Sequence, residues 1–175
     1  MKKGFTLVEL LVVMAILGVL VTLVASGFRT AQLRGRDAQR KSDIKQLANA
    51  LELFYSDYNL YPDESSGKVS GCPYTPGVGG AVCSWGQGEF TDSKTVYFKA
   101  MPKDPNSSLS YYYRVVPGSS NQKFQIFAHL ENPQDPECLK GDCAAPPVAY
   151  SCGSQICNFS VTSANTTPTE KCKIN

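Results

Sequence analysis

The first residues of the chain place a single acid inside an apolar run that follows a basic leader. Met1-Lys2-Lys3-Gly4 is a short basic leader, and the chain from Phe5 to Ala25 is almost wholly apolar, with Glu9 as the exception. A run of about 20 apolar residues is long enough to cross a bilayer as a helix. A carboxylate inside such a run costs about 2.5–3.5 kcal/mol by insertion scales, so Glu9 requires a partner.

Cleavage of the chain after Gly4 would create such a partner. Phe5 would then carry a new α-amino group, placed four residues, about one helical turn, before Glu9. This cation could neutralise the carboxylate within one chain or between neighbouring copies. The predicted chemistry is therefore an ion pair that becomes possible only after processing.

The segment Lys3-Gly4-Phe5-Thr6-Leu7-Val8-Glu9-Leu10 resembles the class III signal sequence of bacterial type IV pilins and type II secretion pseudopilins. The resemblance implies that a prepilin peptidase cleaves after Gly4 and methylates the new amine of Phe5. It also implies that Glu9 takes part in assembly against the N-terminus of an adjacent subunit.

Two simpler interpretations compete with this resemblance. A cleaved secretory signal would use Lys2 and Lys3 as its positive region, but the apolar run exceeds the usual 7–15 residues or so and contains Glu9. A simple one-span anchor is the other interpretation. The two lysines before the span and the arginines after it give that anchor no strong charge asymmetry.

An amphipathic pattern after the apolar run predicts that one helix continues to about residue 60. Apolar residues recur there at helical spacing: Ile44, Leu47, Ala48, Leu51, Phe54, Tyr55 and Tyr58. Pro62 ends the helix by pushing its predecessor out of the α region. Because glycine is a poor helix former, we expect a soft bend or local melting at Gly27 and Gly35. The charged residues around Arg40 lie mostly off the apolar stripe. They could form a solvated face or, in a filament, contact neighbouring copies, and the sequence does not separate these two uses.

Two alternating runs predict an antiparallel hairpin after the helix. Leu109–Val116 and Phe124–Leu130 are joined by a turn that begins with Pro117 and Gly118. The apolar face of this hairpin would cover the stripe on the helix. We therefore predict an α+β fold: a long N-terminal helix, apolar in its first half and amphipathic in its second, packed on a small antiparallel β-sheet head. The resemblance implies the same pilin-like architecture.

Composition divides the chain into six predicted segments. They are a leader peptide at 1–4, a transmembrane or filament-core helix at 5–27, an amphipathic helix of the head at 28–60, a Gly/Pro/Cys loop at 61–94, an antiparallel sheet at 95–131 and a cysteine-rich C-terminal extension at 132–175.

Seven cysteines lie beyond the apolar stretch: Cys72, Cys83, Cys138, Cys143, Cys152, Cys157 and Cys172. Small exported domains with thin cores use disulfides, so we favour disulfides and expect Cys72 to pair with Cys83. Two later pairs have four residues between their cysteines, which leaves structural zinc as an alternative. The odd count leaves one thiol free or paired between chains.

The charge distribution argues against a nucleic-acid partner. The chain carries a formal net charge of +2, with eight Lys/Arg against five Asp/Glu through Leu60 and nine against ten beyond it. The near-neutral later region presents no basic field for nucleic acid. No catalytic constellation accompanies the single histidine, His129, and we predict that the protein is not an enzyme.

Calcium is suggested by the resemblance alone, because major pseudopilins carry a calcium loop after the sheet. Oxygen donors of the right kind lie in that region: Glu131, Asp135, Glu137 and Asp142. The family's Gly/Asp-rich pattern is absent, and cysteines stand in its place. We therefore predict no metal site, with calcium as the less favoured alternative.

These observations predict a filament subunit. The resemblance implies a single-pass precursor in the cytoplasmic membrane and a homopolymeric extracellular type IV pilus, built with an assembly ATPase and a membrane platform. The cysteine-bearing tail favours a pilin, whereas the hairpin region is more similar to major pseudopilins; the pilin is preferred. Another alternative is a monomeric, membrane-anchored binding domain that uses the loop around Trp85.

Overall fold

A computed structural model of the chain describes residues 4–169, without the side chains of residues 23–26. One helix, α1, is followed by ten short strands and a single 3-10 turn at Leu139–Gly141 within this part of the chain. The bounds are α1 Leu7–Tyr58, β1 Glu64–Ser65, β2 Lys68–Thr75, β3 Gly79–Val82, β4 Phe90–Thr91, β5 Val96–Phe98, β6 Tyr112–Val115, β7 Phe124–Ala128, β8 Ser151–Cys152, β9 Gln155–Ile156 and β10 Phe159–Thr162.

Helix α1 is a single unbroken element of 52 residues, about 78 Å long at 1.5 Å per residue. Asn59 ends it in the left-handed conformation, and its amide donates to the Tyr55 carbonyl at 2.7 Å. The local melting expected at Gly27 and Gly35 does not occur. A single glycine costs only about 1 kcal/mol in a helix, and long helical stretches on both sides keep each position hydrogen-bonded.

The two halves of α1 have opposite surroundings. Large apolar side chains from Leu7 to Val21 are 45–79% exposed, whereas Ile44, Leu47 and Phe54 are fully buried in the head. The second half buries one face because its apolar residues recur every three or four positions. The predicted α+β architecture, one long helix followed by small antiparallel sheets, is confirmed.

The head is built on a three-stranded antiparallel sheet with the order β10-β7-β6. In its register, Ile126 of β7 lies between Tyr113 of β6 and Val161 of β10. The hairpin of β6 and β7 is the one that the alternating pattern predicts. Strand β10 comes from the C-terminal extension, so the sheet extends beyond the predicted segment 95–131.

Strand β7 is buried on both faces, because the helix covers one face and the C-terminal extension covers the other. Ile126 belongs to the core shared with α1, whereas Phe127 packs in a second cluster with Leu139, Cys152 and Cys157. Phe127 follows Ile126 in the strand, so its side chain lies on the opposite face of the sheet. That face becomes a second small core because the extension folds back over it.

The predicted Gly/Pro/Cys loop at 61–94 instead contains a second sheet, with the order β1-β2-β3. Its strands are hard to recognise because Gly and Pro are depleted in strands. A Cβ atom on Gly80 would lie 2.5 Å from the Ser70 carbonyl oxygen, so the close pairing of β2 with β3 requires a glycine there. The prediction of a loop over the whole segment is therefore wrong.

Candidate functional site

The predicted processing site lies immediately before the helix. Gly4, Phe5 and Thr6 are non-helical, and α1 begins at Leu7. Among the described residues, and apart from the chain neighbours of Gly4, no heavy atom lies within 4 Å of the position that a Cβ on Gly4 would occupy. The fold of this chain therefore does not itself require glycine at position 4, and a requirement for a small residue there would come from a protein that acts on it.

Glu9 closes a capping box with Thr6. The Thr6 amide and hydroxyl donate to Glu9 Oε2 at 2.9 and 2.7 Å, and the Glu9 amide donates to the Thr6 hydroxyl at 3.3 Å. This arrangement satisfies two amides at the helix start. The Thr6-x-x-Glu9 spacing is the signal that sequence reasoning missed. These bonds use only Oε2, so the carboxylate retains an oxygen for another donor.

The surface around Glu9 is apolar and uncovered by the head. Phe5 and Leu7 are each 79% exposed. Among the described residues, α1 is the one helix long and apolar enough to cross a membrane, judged by length and composition. Exposed apolar area of this size is costly in water, so this half of α1 requires lipid or other helices around it.

A buried ion-pair network attaches the head to α1 near the start of its packed half. Arg40 donates to both carboxylate oxygens of Asp104 at 2.8 Å and to Asp37 at 2.8 Å. Asp37 also accepts from the amides of Glu131 and Asn132 at 2.9 and 2.8 Å. The Arg40 side chain is fully buried. The solvated face considered from the sequence does not apply to Arg40, because two distant loops fold over this turn of the helix.

Electrostatics stabilise the charge on Arg40 despite its burial. Burial lowers the pKa of the guanidinium, but the hydrogen bonds and charges of Asp104, Glu131 and Asp37 together raise it further above its ordinary value. Arg40 therefore remains a cation that holds three segments of the chain together: the helix, the turn at Asp104 and the segment at Glu131.

The acids of the candidate calcium region, which follows β7, are engaged by the chain itself. Calcium takes about six to eight oxygen ligands at roughly 2.3–2.6 Å. Each of the four candidate acids instead accepts hydrogen bonds from nitrogen atoms of this chain. Within residues 4–169, no group of three or more His, Cys, Asp or Glu side chains is placed to hold a metal ion.

Six of the seven cysteines form three disulfides. Cys72 is bonded to Cys83, the pair named from the sequence, and the other two bonds are Cys138–Cys143 and Cys152–Cys157. These bonds leave no thiolates for the zinc alternative among the described cysteines. Cys172 lies outside the described residues.

The other residues considered from the sequence have structural contacts. Trp85 packs edge to face on Tyr111, with ring centroids 5.6 Å apart, so it anchors its segment to the core. The Nδ1 atom of His129 lies 2.7 Å from the Ile156 carbonyl oxygen. Neither contact forms part of a catalytic group.

The sequence matches a known N-terminal motif, and known proteins are similar to it over most of the length of this chain. Residues 1–25 match the family described as the prokaryotic N-terminal methylation motif. Type II secretion system core protein G of Aeromonas hydrophila is 32% identical over 127 residues, covering 73% of this chain and 81% of that protein. Its counterpart in Pseudomonas aeruginosa is 31% identical over 124 residues, covering 67% and 76%. No solved structure matches.

Similarity to a pilin is confined to a shorter stretch. The type IV major pilin protein PilA of Myxococcus xanthus is 36% identical over 62 residues, which are 35% of this chain and 28% of that protein. This chain therefore spans less than a third of the pilin but most of the two core proteins.

A prepilin-type N-terminus, a helix with an uncovered apolar half and a small antiparallel head define a protein of the type IV pilin and pseudopilin class. Such proteins are structural. Because the similarity to core protein G exceeds 30% identity and spans more than two thirds of those relatives, the chain belongs to the type II secretion system core protein G family.

Proposed function

We propose that this chain is a structural subunit of a filament whose core is made of the apolar halves of α1, with the heads on the outside. The observation that carries the proposal is the division of one unbroken helix. Its first half has uncovered apolar side chains, and its second half is buried in its own head. A rigid helix of this kind can pack against other copies while its head remains folded and outside.

Processing would prepare the helix for assembly. A prepilin peptidase would cut between Gly4 and Phe5 and methylate the new amine, with the precursor held in the cytoplasmic membrane by α1. In the filament, the Phe5 amine of one copy would meet Glu9 of its neighbour and neutralise a carboxylate in an apolar core. An assembly ATPase and a membrane platform would drive polymerisation, as in the pilin class.

Two kinds of filament suit this subunit, and each is favoured by a different observation. The disulfide-held C-terminal extension suits an exposed extracellular pilus, because disulfides persist in oxidising surroundings. Similarity to core protein G over most of both chains favours a filament that belongs to a type II secretion system. The near-neutral head argues against direct binding of DNA in either filament.

Substitutions at the processing site and at the acid test the assembly step. Gly4→Leu should prevent removal of the leader, which mass spectrometry of the N-terminus would detect. Glu9→Ala should be processed normally but should abolish filaments in the sheared-cell fraction. Glu9→Gln is the matched variant, because its side-chain oxygen can still accept the Thr6 hydrogen bonds while the charge is lost.

The outcomes show whether assembly depends on the charge of Glu9 or on its hydrogen bonds to Thr6. Loss of filaments with Glu9→Gln as well as with Glu9→Ala supports pairing with an amine, whereas normal assembly of Glu9→Gln assigns the effect to the cap. Normal filaments from both Gly4→Leu and Glu9→Ala would refute the proposal. Immunogold labelling of intact cells distinguishes the two filaments, since only the pilus presents heads beyond the cell surface.

A further inference from the structure

The segment after β7 that carries the candidate calcium donors contains a cation supplied by the helix. We call residues 131–143 the acidic loop. Lys41 Nζ donates to Asp135 Oδ1 and Oδ2 at 2.7 and 2.9 Å and to Glu137 Oε1 at 3.0 Å. An ammonium group has three donors, and two carboxylates of the loop therefore surround this one.

Burial makes this contact more than a surface ion pair. The side chains of Lys41 and Asp135 are 16% and 12% exposed, and Lys41 Nζ lies 5.7 Å from the ring centroid of Phe159 on β10. Exposed ion pairs contribute little because water competes for both charges. Here the helix and β10 restrict the access of water, and removal of the cation would leave Asp135 without its ion-pair partner and Glu137 with only the longer contact to Lys45.

The other two acids of the loop are also engaged by this chain. Glu131 Oε2 accepts from Arg36 at 2.6 Å, and its Oε1 accepts from Asn106 at 2.9 Å. Asp142 Oδ1 accepts from the amides of Ala144 and Ala145 at 2.8 and 3.2 Å. A metal ion would have to displace these donors one by one, and the acids are not gathered around one point.

A covalent bond restrains the same loop. The Cys138–Cys143 disulfide closes its second half, with Cα atoms 5.1 Å apart, and Cys138 is buried against the core that α1 shares with the sheet. The acidic loop is thus attached at one end by Glu131 and in the middle by Lys41, while the disulfide closes its second half on itself and Cys138 packs against the core.

We infer that Lys41 is the permanent cation of the acidic loop, and that this loop folds without a divalent metal ion. Its shape then depends on the lysine and the disulfide, so the subunit is stable in surroundings without calcium. This inference does not rest on the type of filament that the subunit forms.

Thermal unfolding of the purified full-length chain in detergent tests the inference. The wild-type melting temperature should change by less than about 1 °C between 2 mM EGTA and about 2 mM CaCl₂, since binding at saturating ligand would stabilise by several degrees. Titration calorimetry with CaCl₂ should show no saturable binding with a Kd below about 1 mM, the weak end of extracellular calcium modules.

Two lysine variants test the role assigned to Lys41. Lys41→Met keeps the length of the side chain and should lower the melting temperature by several degrees. Lys45→Met is the matched control, because Lys45 is 58% exposed and lies 3.9 Å from Glu137; it should have little effect.

The result that would overturn the inference is stabilisation of the wild type by calcium that Asp135→Asn abolishes, because this result would place the ion in the loop. A Lys41→Met variant no less stable than Lys45→Met would also overturn it. The wild-type comparison decides the metal question even if Lys41→Met does not fold.

Discussion

Arg40 and Asp104 form a fully buried ion pair through two parallel hydrogen bonds of 2.8 Å, although 64 residues separate them in the chain. The guanidinium fork matches the two carboxylate oxygens, an arrangement that fixes direction as well as distance. The pair attaches the turn around Asp104 to α1 at the point where the helix enters the head. The pair therefore helps to fix the position of the head relative to α1.

Replacement of Arg40 should be among the most destabilising changes in the head. Arg40→Met would leave Asp37 and Asp104 buried without their cation, and breaking a buried pair from one side costs about 3–5 kcal/mol. Urea unfolding of the full chain in detergent, followed by the fluorescence of the single tryptophan, would measure this loss. Arg34→Met is the control, because Arg34 is exposed on the same helix. A similar loss in both variants would contradict the assignment.

The importance of this pair could not be read from the sequence. Asp37 and Arg40 have helix-neighbour spacing, which local reasoning interprets as a solvated face. Their burial depends on Asp104 and Glu131, which reach the helix only after the intervening chain has folded. By contrast, the apolar run, the amphipathic stripe and the end of α1 before Pro62 are local patterns, and the structure has the helix that they predict.

The cost of replacing a leucine on α1 should depend on whether that leucine is buried in the apolar stripe. Leu51 is fully buried and Leu53 is 50% exposed, two positions along the same helix. Leu51→Ala should lower the free energy of unfolding by about 2–5 kcal/mol, because it removes apolar contacts and leaves a cavity. Leu53→Ala has the same chemistry and should cost less than about 1 kcal/mol. Equal costs in urea unfolding would show that the packing of α1 on the head is different.

The C-terminal extension was the hardest part to predict, and the reason is physical. Phe159–Thr162 completes the central sheet by pairing with β7, where Val161 lies opposite Ile126. A strand of four residues with two hydroxyl side chains carries little periodic signal of its own. The alternation of β7 predicted one buried face, and the second was hidden because most of the residues that cover it lie beyond residue 138.

Disulfide mapping should recover three local bonds. Alkylation of the denatured, unreduced subunit should label none of the six cysteines that form them, because these are bonded to each other. Peptide mapping without reductant should link Cys72 to Cys83 across their separation of 11 residues. Replacing both by serine should cost about 2–4 kcal/mol, the usual value for such a loop. Labelling at any of the six would contradict this pairing.

Low pH should reduce the stability that the acidic loop gives to the folded protein, and the size of this effect should depend on Lys41. Burial raises the pKa of Asp135, but the hydrogen bond from Lys41, the Glu137 amide and the Lys41 charge together lower it below its ordinary value. A carboxyl with a lowered folded-state pKa stabilises the protein fully above its unfolded pKa, about 3.9 for Asp. This stabilisation is lost as the pH falls through the folded value.

The free energy of unfolding should therefore decline as the pH falls from about 5 to about 2, and the decline should be smaller in Lys41→Met. Without the ammonium group, the pKa of Asp135 in the folded protein moves toward its unfolded value, and the linked protonation contributes less. Urea unfolding across this pH range measures both slopes. Lys45→Met should keep the wild-type slope, because Lys45 makes only a long, exposed contact with the loop. A Lys41→Met slope equal to that of the wild type would show that the Asp135 carboxylate is stabilised by some other group.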